Sequence, residues 1–120
     1  MKVVFCVKQN DLGLNSSPLV KWSRNSKFFA MFGNNNSVSI FDKNGNKIVN
    51  IPVANPALMD WDSDNHLIAI SSSSNPDIIL FNLRTNEIST IEAPFIPTWI
   101  SFAKSCSFLA IINISLPQQY

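Results

Sequence analysis

An all-β chain carrying the opening blades of a propeller is the fold class this sequence predicts, and three observations predict it. Aromatic residues recur at a spacing near 40, short apolar groups follow each of them at a fixed distance, and no window holds a helical stripe longer than one turn.

The repeat is read by sliding the sequence along itself. Val20-Lys21-Trp22-Ser23 recurs as Met59-Asp60-Trp61-Asp62 and as Ile100-Ser101-Phe102-Ala103, so the aromatic positions lie 39 and 41 residues apart. Six residues after each aromatic a second apolar group begins: Phe28-Phe29-Ala30-Met31, Leu67-Ile68-Ala69-Ile70 and Phe108-Leu109-Ala110-Ile111. Val38-Ser39-Ile40-Phe41-Asp42 matches Ile78-Ile79-Leu80-Phe81-Asn82 at an offset of 40. Each group is short, rich in β-branched or aromatic residues, and bounded by Asn, Ser, Asp, Gly or Pro, the signature of a strand.

The linkers read as turns. Arg24-Asn25-Ser26-Lys27 and Ser63-Asp64-Asn65-His66 join the first strand to the second, and Asn44-Gly45 signals a tight hairpin because both residues tolerate positive φ. Arg84-Thr85-Asn86 holds the same place one repeat later. Strands over 46–51 and 86–91 follow and end near Pro52 and Pro94, which donate no ladder hydrogen bonds. The first two strands of each unit are apolar enough to be buried on both faces, whereas the fourth alternates and faces solvent. Four antiparallel strands in ~40–45 residues make a blade of the WD type. Blade one is expected at about residues 18–51, blade two at 57–92 and the start of blade three at 98–112, with 113–120 divergent. A β-sandwich of about ten strands has similar turn spacing, but the three-fold agreement of aromatic, small and apolar positions favours repeats.

Composition narrows the function classes. Charged residues are 14% of the 120, against about 25% in an average soluble domain, and the net charge is +1. Lys and Arg are scattered singly, so no basic face tracks nucleic acid or an anionic membrane. No apolar run approaches the ~20 residues of a membrane span, and 3–7 is cut by Lys8 before it makes a signal peptide. Cys6 and Cys106 sit among apolar residues and read as reduced core thiols. The sequons at Asn15, Asn35 and Asn113 matter only in a secretory compartment; the balance favours a soluble cytoplasmic protein.

Chemistry-bearing residues are few. His66 is the single histidine; as a general base it needs a nucleophile and an orienting carboxylate, and a place in the hairpin between two strands explains it without either. Asp60, Asp62 and Asp64 superficially open a calcium loop, but Asn65 and Ser71 stand where Gly and a bidentate Glu are required. One of these carboxylates is expected to accept hydrogen bonds from turn amides. Trp22 and Trp61 are expected to pack between blades and Trp99 to lie on a rim. Ser71 to Asn75, ahead of Pro76, reads as a flexible loop. Three glycines and no Gly-Lys-Ser/Thr motif leave no phosphate loop. No residue is assigned to catalysis, to a cofactor or to a metal, and a propeller enzyme lining its channel with acids is the weakest reading.

Several of these segments also carry a resemblance. Met59-Asp60-Trp61-Asp62 with Asp64 and Leu67-Ile68-Ala69-Ile70 resembles a second-blade region, and Ile40-Phe41-Asp42-Lys43-Asn44-Gly45-Asn46-Lys47 a first-blade hairpin, of the WD repeat-containing protein 19 family. That family comprises the large WD-repeat subunits of the intraflagellar transport A complex. Met1-Lys2 with Phe5, Leu12-Gly13 before Pro18, and Ser107-Phe108-Leu109-Ala110 match in order and spacing, so the resemblance covers about residues 1–112. The Gly-His dipeptide of a standard WD repeat is missing, and Phe41-Asp42 and Phe81-Asn82 replace Trp-Asp. The resemblance implies a non-catalytic interaction scaffold of retrograde ciliary transport and cilium assembly. It implies a place in cilium and cytoplasm, with other intraflagellar transport A subunits and ciliary cargo as partners. No nucleic acid, membrane insertion, small-molecule substrate or cofactor is expected. The alternatives are a WD-repeat adaptor of another cytoplasmic assembly, such as a vesicle coat or ubiquitin ligase, and a truncated, non-functional fragment. Family members continue through two propellers and helical repeats, so an N-terminal fragment is expected here. Its strand over 3–7 would complete the last blade of a ring, and the isolated chain is expected to be marginal or aggregation-prone, because open blades expose sheet edges.

Overall fold

The structure, a computed structural model, describes residues 19–32, 36–103 and 109–112. Among the described residues ten strands run in chain order: β1 (Leu19–Trp22), β2 (Phe28–Phe32), β3 (Ser37–Asp42), β4 (Lys47–Pro52), β5 (Pro56–Trp61), β6 (Leu67–Ser72), β7 (Asp77–Asn82), β8 (Glu87–Glu92), β9 (Trp99–Phe102) and β10 (Leu109–Ile112). They form antiparallel sheets in the orders β1-β2-β3-β4, β5-β6-β7-β8 and β9-β10, two four-stranded blades and a two-stranded third. The segments over 3–7 and 113–120, both cysteines and the three sequon asparagines lie outside the described residues.

The turns follow from which residues accept a left-handed backbone. Ser26 (φ 62°) and Asn65 (φ 61°) occupy equivalent places between the first and second strands of their blades. Asn accepts this region more readily than Ser does, and glycine best of all. In the β3–β4 hairpin only Gly45 (φ 87°) of the Asn44-Gly45 pair turns left-handed. The connection is therefore a turn closed by Gly45 N–H to Asp42 C=O (3.0 Å), with an irregular register after Ile40, and not the two-residue loop that Asn-Gly favours. The Asp42 carboxylate accepts from the Asn46 amide (3.0 Å), the Asn46 side chain and the Asn44 amide, and the Asn46 amide bond foremost holds its carboxyl below the usual carboxylate range. Because the folded-state value is depressed, that support is present above about pH 4 and is lost as pH falls through the folded-state value.

Alternation sends successive side chains to opposite sides of each blade. In β6, Ile68 and Ile70 join Ala30, Val38, Ile40 and Ile51 of blade one and Met59, Trp61 and Phe81 of blade two in one buried layer. Ala69, on the other side, joins Ile78, Ala93, Ile100 and Phe102 in the layer beneath β9. Trp61 is 1% exposed, and truncating a Trp this deeply placed costs about 3–5 kcal/mol.

Four expectations need correction. The first strand of blade one is not buried on both faces: Val20 and Trp22 are each 43% exposed, because the described residues set a neighbouring blade against only one side of blade one. Trp22 consequently packs on its own sheet, its ring 4.8 Å from Phe29, and not between blades. The serine run is not wholly a loop either. Ser71 and Ser72 complete β6 and are buried, with Ser72 Oγ donating to Ala54 C=O (2.6 Å), so the bend begins at Ser73. The β8 strand is exposed along its whole length, whereas Ile51 of β4 is fully buried.

Ser71 Oγ is buried without a hydrogen-bond partner. A hydroxyl desolvated in this way destabilises, so Ser71→Ala is predicted to raise stability by about 1 kcal/mol, read as a higher urea midpoint at unchanged slope. A loop serine would show no change.

Candidate protein-interaction site at the blade junction

The innermost strands β1, β5 and β9 lie side by side, and the repeat position they share holds Lys21, Asp60 and Ser101. Asp60, central among them, is buried and joins all three blades. Its Oδ2 accepts the Phe102 amide of blade three at 2.6 Å and lies 3.6 Å from Arg24 Nη2 of blade one, while Oδ1 lies 3.9 Å from Lys21 Nζ. Trp61 adds two further links: its indole N–H donates to Lys21 C=O (3.0 Å), and its own C=O accepts from Arg24 Nε (3.2 Å). The Phe28 ring stacks across the junction at 6.5 Å from Trp61. Lys21 and Arg24 are exposed enough for solvent to screen their ion pairs, so the buried, charge-assisted bond to the Phe102 amide contributes most.

The next repeat position holds Ser23 and Asp62, and both cap the turn that follows. Ser23 Oγ accepts the Phe28 amide (3.1 Å), and Asp62 Oδ1 accepts the amides of His66 and Leu67 (3.1 Å each). Asp62 is therefore the carboxylate that serves the turn amides. His66 is partly buried in the same turn, its Nδ1 3.5 Å from Asp62 Oδ2, a charge pair only when the imidazole is protonated. The structure thus separates the Asp60-Asp62-Asp64 run: Asp60 faces the blade seam, whereas ligand atoms of Asp62, Asp64 and His66 lie within 4.8 Å of one another. That trio has the donor types for a cation, but one oxygen of Asp62 is already committed to the turn.

The two turns meet, Asn25 N–H donating to Asn65 Oδ1 at 2.8 Å. Beside them opens a cleft of about 320 Å³, floored by Phe28 and Leu83 and rimmed by Lys27, Asp64, His66 and Arg84. Among the described residues that line it, none carries a hydroxyl or thiol. An apolar floor with a mixed-charge rim suits recognition of a peptide surface. Trp99, 52% exposed, sits at the start of β9.

The role of Asp60 escaped the sequence reading, although the repeat alignment sets it level with Lys21, a charge pairing visible in retrospect. Asp60→Ala is predicted to cost about 2–3 kcal/mol, because it orphans the Phe102 amide, and Asp60→Asn about 1 kcal/mol, because an acceptor remains. Urea unfolding of both variants checks this; equal losses would assign the effect to charge and not to the acceptor.

The chain is similar to known proteins in two comparisons. Residues 18–114 match the family described as WDR19 first beta-propeller. Among solved structures, one titled "Crystal structure of the eukaryotic initiation factor" superposes with a TM-score of 0.61 at 26% identity, over 70% of this chain and 22% of that one. The present chain thus spans about a fifth of that protein's length. No curated protein matches. With a four-stranded blade repeated in its fold and a family match over most of its length, the chain belongs to the WDR19 first β-propeller family.

Proposed function

We propose that the chain serves as a non-catalytic interaction scaffold in the intraflagellar transport A assembly, acting in retrograde ciliary transport and cilium assembly. The observation that carries this reading is the family match over residues 18–114, on a fold whose described residues form WD-type blades. The blade-junction cleft supports it from the physical side, having an apolar floor and a charged rim. Binding energy at such surfaces is concentrated in a few aromatic or arginine anchors, and Arg84 and Phe28 are the anchors this cleft offers. Its partners would be other subunits of that assembly and ciliary cargo, in cilium and cytoplasm.

A second reading, a WD-repeat adaptor of another cytoplasmic assembly, draws on the fold shared with the initiation-factor chain. Affinity purification of the tagged protein from ciliated cells separates the two. The first reading predicts recovery of intraflagellar transport A subunits and signal in the cilium. Recovery of another assembly, with no ciliary signal, would contradict it.

A further inference from the structure

The outer strands of the two blades are guarded very differently. The β4 strand begins with Lys47, ends with Pro52 and buries Ile51, all features that discourage pairing with another chain. The β8 strand, Glu87-Ile88-Ser89-Thr90-Ile91-Glu92, is exposed at all six residues, has neither proline nor lysine, and among the described residues pairs only with β7. One edge of its backbone therefore offers a row of amides and carbonyls to a further strand. Ile88 stands opposite Phe81 and Ile91 opposite Ile78, both partners deeply buried. An added strand with apolar residues at those positions would continue the two layers on either side of the blade.

Charge decides what can be added. The strand reads almost the same in both directions, with Glu at each end, Ile inside each Glu, and a Ser-Thr centre. Antiparallel pairing of two copies through this edge is two-fold symmetric and opposes residues of the same face, so it sets Glu87 against Ile91 or Glu92 against Ile88 of the other copy, a carboxylate against an apolar side chain in either register. The same two carboxylates attract a strand that is basic at both ends.

We propose that β8 is a docking strand, adding to its free edge an extended segment of a partner protein that has a basic residue at each end of a short β-branched core. Main-chain hydrogen bonds supply affinity, and the paired carboxylates with their flanking isoleucines supply selectivity. The near-symmetry of the strand admits the segment in either direction. The proposal rests on the scaffold reading only in requiring a protein partner, and its test uses no ciliary component.

The test is fluorescence anisotropy of labelled hexapeptides with the full 120-residue chain and with its Glu87→Lys/Glu92→Lys double variant. Both glutamates are exposed, so the double variant keeps the core intact, which circular dichroism verifies. Lys-Val-Thr-Thr-Val-Lys is expected to bind the wild type about tenfold more tightly than Glu-Val-Thr-Thr-Val-Glu, the scale of two cross-strand charge pairs turned from repulsion to attraction. The double variant is expected to reverse that order. N-methylation of alternate peptide amides should abolish binding in one phase and spare it in the other, because only one edge of the peptide meets β8. Equal affinities, an unreversed order or indifference to methylation would overturn the proposal. So would sedimentation as a dimer that fails to bind peptide, since that gives the edge to a second copy.

Discussion

A carboxylate can be carried into the seam between sheets only where donors meet it, and around Asp60 the donors come from both neighbouring blades. The Phe102 amide reaches it from blade three, Arg24 and Lys21 from blade one, and Trp61 next door ties its indole N–H back to Lys21. Short blades have little area to bury singly, so their relative placement depends on contacts that cross the seams. The apolar layers on each side of blade two provide the bulk of the burial, and Asp60 fixes the register in which those layers meet. One residue at one repeat position thereby couples three sheets.

The turns express the same repeat in another form. Ser23 and Asp62 do the same work in successive blades with different atoms, a hydroxyl in one and a carboxylate in the other. Ser26 and Asn65 do likewise with the left-handed backbone. Substitution within the repeat is tolerated because the turn needs an acceptor and a residue able to hold positive φ, not a particular side chain. His66 and the cleft beside it follow from this arrangement, since the turns of blades one and two are brought together by the Asn25–Asn65 bond.

Much of the fold was legible in the residues because its determinants are local. The spacing of Trp22, Trp61 and Phe102 located the innermost strands, and the apolar groups from Phe28, Leu67 and Phe108 located the second strands, the last of which is described from Leu109. What escaped was non-local. The exposure of Val20 and Trp22 depends on which side of blade one is covered, a property of the assembled sheets that strand composition does not carry. The serine run was misread because Ser71 and Ser72 have turn-forming side chains, and burial beside Ala54 overrides that preference. The candidate site suffered most: Asp60 looked like part of an acidic run, and only the three-dimensional neighbourhood shows that it faces blades one and three, away from Asp62 and Asp64. The free edge of β8 was half visible, since its solvent-facing character was expected but its full exposure was not.

Asp60 couples the three blades, and hydrogen exchange resolved along the chain measures that coupling most directly. In the wild-type protein, amides of β5, β6 and β9 should exchange together, as one cooperative unit. In Asp60→Ala, β9 should lose protection first and most, with β1 following, while β6 and β7 keep theirs. Unchanged protection of β9 in that variant, or independent exchange of the blades in the wild type, would contradict the coupling.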